Sequence, residues 1–254
     1  MGTYFLLFGA GLGIGTVASM IGVGGGVFMV PLLALSGLVA TTQEAVGTSI
    51  AGVIFTSLSS SIAYFRRRGI NVGLGLAIMP GALGGALLGA WASGRITSGW
   101  LAVAFGGFLL YPAVVMLMGK QPKELFRRER DGGHPILATL VGFVAGFVSG
   151  LFGLGGGTVM VPALILTLGL DIRQAAATSL FVMIPSAALA TSQHALAGNT
   201  HWELALPLIG GIVIGAQLGP ALGGRLPRER LRQLFALVLL YAAVNMVLKG
   251  LGLR

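Results

Sequence analysis

The stretch Gly22-Val-Gly-Gly-Gly-Val-Phe-Met-Val-Pro31 returns as Gly153-Leu-Gly-Gly-Gly-Thr-Val-Met-Val-Pro162, displaced by 131 positions. Thr48-Ser49 returns as Thr178-Ser179, displaced by 130. The second displacement then holds to the end of each copy. Gly85-Ala-Leu-Leu-Gly89 pairs with Gly215-Ala-Gln-Leu-Gly219, Gly94-Arg95 with Gly224-Arg225, and Phe105, Tyr111 and Met116 with Phe235, Tyr241 and Met246. Self-similarity of this extent makes the chain two copies of one unit, residues 1–119 and 135–254. The polar stretch 120–134, with both signs of charge and two glycines, joins them as a linker.

The medium follows from composition. Of 254 residues, 55% are hydrophobic and 9% charged, and the mean hydropathy is +0.92, which excludes a soluble domain of this length and makes the bilayer the solvent. Each unit holds five apolar segments. In the first they are Thr3–Met20, Val27–Val39, Ala45–Phe65, Ile70–Ala92 and Trp100–Met118; in the second, Pro135–Phe152, Thr158–Leu170, Ala175–Leu196, Trp202–Gly223 and Leu231–Leu248. Lipid leaves backbone groups no partner but their own helix, so the expected fold is an all-α polytopic membrane protein. The segment after each glycine motif is too short: about 13 helical residues cover ~20 Å of a ~30 Å hydrocarbon core. These two segments are read as broken or re-entrant helices. Met1–Leu7 has no basic residue, and the apolar runs fill nearly the whole chain, so the first segment is read as part of the mature protein and not a cleaved signal.

Basic residues test the orientation. If each unit crosses the membrane an odd number of times, the units are inverted, and 13 of the 16 Lys and Arg residues fall on one face, leaving Arg95, Lys249 and Arg254 opposite. With parallel units the division is ten against six. The first arrangement obeys the positive-inside rule, so the expectation is two inverted-topology repeats, a cytoplasmic linker and both termini outside. The net charge of +9 is thereby a matter of orientation, and no nucleic-acid partner is called for.

Inverted repeats give a protein two related shapes, one open to each side, with a site near the midplane. Gly24-Gly25-Gly26 and Gly155-Gly156-Gly157 disfavour regular helix, and Pro31 and Pro162 are expected to open the short helices after them. A helix start inside the membrane presents unpaired N–H groups and a positive dipole end, which suits an anion. Thr158, Thr48-Ser49 and Thr178-Ser179 could add hydroxyl donors, or bond their own backbone. Gln193, Gln217 and Asn245 replace apolar residues of the first unit and are candidates for tuning specificity. Gly85, Gly89, Gly215 and Gly219 are assigned to helix packing. His194 and His201 lie near a segment end and are expected to be solvated.

Absences narrow the chemistry. The acidic residues Glu44, Glu124, Glu129, Asp131, Asp171, Glu203 and Glu229 all fall in loops or at segment ends, which disfavours a cation pump. The chain has no cysteine and no Gly-Lys-Ser/Thr phosphate loop, and no catalytic residue, metal site or cofactor is expected.

The two glycine motifs, each followed by an Ala-x-x-Thr-Ser or Ala-Ala-Thr-Ser stretch, resemble those of the sulfite exporter TauE/SafE family over both halves of the chain. The resemblance implies a bacterial or archaeal cytoplasmic-membrane permease for sulfite, sulfonates such as sulfoacetate, or related anions. The motif glycines and prolines with Thr48, Ser49, Thr178 and Ser179 are the residues carried over. The expected function is a secondary transporter, an exporter of a small anion working by alternating access. The competing readings are an anion channel and a non-transporting membrane scaffold subunit. Expected partners are the anion and membrane lipid, with a homodimer left open.

Overall fold

The computed structural model describes residues 2–66, 69–118, 135–168, 170–222 and 228–253. Among these the chain is all helix: α1 (Gly2–Ile21), α2 (Gly26–Leu35), α3 (Thr42–Phe65), α4 (Val72–Ser93), α5 (Ser98–Met118), α6 (Pro135–Phe152), α7 (Gly157–Leu168), α8 (Ile172–Leu196), α9 (Trp202–Leu222) and α10 (Arg228–Gly250). Among the described residues, five helices, lying in α1, α3, α4, α8 and α9, are long and apolar enough to cross a membrane. The expected linker, with Arg67, Arg68 and Arg225, lies outside the described residues.

Helix starts obey local capping chemistry. Thr41 caps α3 by accepting from Glu44 N, while the Glu44 carboxylate reaches back to Ala40 N at 2.9 Å. Asn71 caps α4, and Asp171 caps α8 through Arg173 N and Gln174 N. The prolines do not open α2 and α7 as the sequence suggested. Each helix begins at the last glycine of its motif, Gly26 or Gly157, which places Pro31 and Pro162 five residues inside. The start is set instead by Gly25, which stands at φ 87 as the N-cap, a conformation that glycine adopts without the strain a side chain brings.

The two units pack through matching seams. Helix α1 lies along α9 and α4 along α6, the first helix of each unit against the fourth of the other. Along α4, a Cβ on Gly81, Gly85 or Gly89 would collide with the carbonyls of Thr139, Phe143 and Phe147, and Gly142, Gly146 and Gly150 of α6 stand in the same relation to α4. Gly11 and Gly15 of α1, with Gly211, Gly215 and Gly219 of α9, repeat this arrangement. With little hydrophobic drive between helices in lipid, close backbone approach and dispersion hold such seams, so glycine is the residue that fits.

Equivalent helices of the two units also meet, and they run antiparallel. The first turns of α3 touch the end of α8 and the loop after it, with Gly47 under the Asn199 carbonyl and the His194 Cβ. The first turns of α8 touch the loop after α3, where Asn71 N donates to Thr178 Oγ1 at 3.1 Å. Helices α5 and α10 also pair antiparallel: Gly99 faces Gly250, and Gly106 faces Ala243.

Candidate functional site

The centre is built from the two glycine motifs facing each other across α3 and α8. Gly22, Gly24 and Gly25 in one loop, and Gly153, Gly155 and Gly156 in the other, all have positive φ. The loops interlock. A Cβ on Gly26 would strike the Gly153 carbonyl, and one on Gly157 would strike the Gly22 carbonyl. Val53 of α3 and Met183 of α8, equivalent positions in the two units, fill the space beside Gly24 and Gly155. All of these residues are buried.

Backbone accounting exposes what the loops offer. In α2, Phe28 N and Met29 N both turn back to Gly25 O, at 3.0 and 3.1 Å, and in α7 Val159 N and Met160 N turn back to Gly156 O, at 3.1 and 2.8 Å. The N–H groups of Gly24 to Val27, and of Gly155 to Thr158, have no acceptor among the described residues. Two helix starts with free donors, each carrying the positive end of a helix dipole, therefore meet inside the protein.

Each Thr-Ser pair works across the unit boundary. Ser49 Oγ contacts Gly153 O at 3.2 Å and Val46 O at 2.9 Å, and Ser179 Oγ contacts Gly22 O at 3.1 Å and Ala176 O at 2.9 Å. Thr48 Oγ1 accepts from His201 N at 3.0 Å, and Thr178 Oγ1 accepts from Asn71 N at 3.1 Å. The serine thus grips the other unit's glycine loop and the threonine its interhelical loop. A hydroxyl has one proton to give, and these serine protons are directed at carbonyls.

A second matched pair was not legible as one. Tyr64 OH donates to Ser19 O at 3.0 Å, and His194 Nε2 lies 3.2 Å from Gly150 O. These equivalent side chains of α3 and α8 pin the ends of α1 and α6 just before the glycine loops. His194 is accordingly not solvated: only 2% of it is exposed, because α8 packs that turn against α6 and α3 before it ends. His201 does sit near the surface, 3.1 Å from the Glu44 carboxylate and 4.0 Å from Glu203.

The remaining polar candidates make no hydrogen bond to the glycine loops. Gln193 is exposed, Asn245 Nδ2 donates to Tyr241 O on its own helix, and Gln217 Nε2 donates to Ser59 O and Oγ of α3 at 2.8 and 2.9 Å. Thr158 is buried at the start of α7, and its hydroxyl has no partner. Among the described residues no cluster of His, Cys, Asp and Glu is suited to a metal ion.

Apolar helices around a buried centre of irregular backbone define a polytopic membrane protein, and comparison with known proteins gives its class as a membrane transporter. The sequence profile of the sulfite exporter TauE/SafE family matches residues 7–246, and the chain belongs to that family. It is 30% identical over 270 residues to the probable membrane transporter protein YunE of Bacillus subtilis, covering 98% of this chain and 99% of that protein. It is 28% identical to the probable membrane transporter protein MJ0441 of Methanocaldococcus jannaschii, over 92% of this chain and 91% of that one. A probable membrane transporter protein of Xylella fastidiosa (strain Temecula1) is 27% identical, over 94% of this chain and 93% of its own length. No solved structure matches the chain.

Proposed function

We propose that this protein is a secondary transporter exporting a small anion, sulfite or an organosulfonate, by alternating access between two inverted units in a bacterial or archaeal cytoplasmic membrane. The observation that carries the reading is the convergence of two helix starts with unpaired N–H groups on one buried centre. Fixed dipoles of that kind stabilise negative charge. The antiparallel course of α3 against α8, and of α5 against α10, supports inversion, since equivalent helices of parallel repeats would point the same way. On this reading both termini lie outside and the basic linker lies in the cytoplasm.

Roles follow from the contacts. Gly24 to Gly26 and Gly155 to Gly157 supply donors, while Ser49, Ser179, Thr48 and Thr178 position the loops that carry them. Pro31 and Pro162 leave a helical carbonyl without its usual donor near the core of each short helix. Rocking of one unit against the other would slide the interlocked loops past each other and expose the centre to alternate sides.

The test is flux of labelled sulfite into vesicles carrying the purified chain, with sulfoacetate and chloride as competitors. Saturable flux inhibited by sulfoacetate more strongly than by chloride is expected. No flux of any of the three anions, with or without a pH gradient or potential, would refute the proposal.

A further inference from the structure

The two helix starts are equivalent in backbone and unequal in side chains. Beside Gly25 the neighbouring turn of α1 presents Ala18, its Cβ 3.4 Å from where a Gly25 Cβ would stand. Beside Gly156 the equivalent turn of α6 presents Ser149, with its Cβ at the same 3.4 Å. One residue into each helix past its first glycine, α2 carries Val27 and α7 carries Thr158. Ser149 is 1% exposed and Thr158 8% exposed, and neither hydroxyl has a hydrogen-bond partner. A buried hydroxyl normally finds a carbonyl, as Ser49, Ser179 and Ser186 do here. Ser60, Ser61, Ser93 and Thr191 are also without partners, but they lie inside or at the far end of long helices. Among the described residues, Ser149 and Thr158 are the unpartnered hydroxyls that flank a helix start whose own N–H groups are free.

We propose that the anion binds asymmetrically, at the α7 start, where the hydroxyls of Ser149 and Thr158 join the N–H groups of Gly156, Gly157 and Thr158. This rests on the anion-carrier reading above and deepens it. Several donors converging from two helices suit an oxyanion, whose separate oxygens can each accept, better than a spherical halide. The α2 start, flanked by Ala18 and Val27, offers backbone donors only and acts as the dry partner that the moving unit presents to the ligand. His194, bonded to Gly150 next to Ser149, holds that turn of α6 in place and acts as a positioning residue.

Two variants read this out. Ser149→Ala and Thr158→Val remove hydroxyls that make no hydrogen bond within the protein, so folding should persist, with Thr158→Ser keeping the donor. The combined Ser149→Ala/Thr158→Val variant should raise the half-saturating sulfite concentration about tenfold or more. It should also lose the sulfite-induced rise in melting temperature of the detergent-purified protein, which Thr158→Ser retains. Unchanged half-saturation and unchanged melting shift in the double variant would overturn the asymmetric site while leaving the carrier reading intact. A parent protein with neither sulfite flux nor a sulfite-induced shift would overturn both.

Discussion

Glycine does two different jobs in this molecule, in the seams and at the centre. Along α4·α6 and α1·α9 the glycines sit in regular helix, and their value is the absent Cβ, which lets backbones touch. In the two motifs the glycines hold positive φ, and their value is a loop that ends one helix, starts another and leaves N–H groups unpaired between them. A seam glycine contributes stability, whereas a motif glycine forgoes hydrogen bonds that a continuous helix would make. Unpaired donors in a buried place are costly, and on the proposed reading the ligand supplies their acceptors.

That contrast can be broken at several strengths. Gly146→Leu in the α6 seam should have the largest effect, about 3 kcal/mol or more, since the new side chain has only the α4 backbone around Ala82 to enter. Loss of folded protein on size-exclusion chromatography checks it. Gly156→Ala should cost about 1–2 kcal/mol, because Gly156 stands at φ 74 and its Cβ would lie 2.8 Å from Ala145 O. Its sulfite flux should fall far more than its melting temperature suggests, the opposite balance to a seam variant. Ser49→Ala and Ser179→Ala should each cost about 1 kcal/mol, and by similar amounts, since they make the same bond in opposite units. Unequal melting shifts would argue against that equivalence. Ser192→Ala should have the smallest effect: its exposed hydroxyl bonds Leu189 O of its own helix at 2.7 Å, and both melting and flux should stay at the parent level.

The sequence made the helices legible because an apolar run in lipid has little choice of structure. Pro135–Phe152 is found with the same limits as α6, and the short segments after the glycine motifs are short helices in the structure. The packing role of Gly85, Gly89, Gly215 and Gly219 was legible too, since a four-residue spacing puts small residues on one helix face. Relations between units were not. That Ser49 would reach Gly153, or Asn71 reach Thr178, depends on which faces meet, and no local pattern encodes that. His194 misled because nearness to a helix end says nothing of what covers it, and there α3 and α6 do. The signal available was its alignment with Tyr64, a residue able to donate from the same position. Ser149 was hidden more deeply, since its meaning lies in being unpaired beside Gly156, which only the folded chain displays.

The central claim, that the interlocked loops carry an anion by alternating exposure, is tested most directly by counterflow. Vesicles holding the protein and preloaded with unlabelled sulfite are diluted into trace labelled sulfite, with the membrane potential clamped at zero by equal potassium and valinomycin. Transient accumulation of label above its equilibrium level is predicted, because a carrier returning loaded from inside picks up label outside. A monotonic rise to equilibrium with no overshoot, at rates proportional to concentration, would identify an open pore and contradict the account.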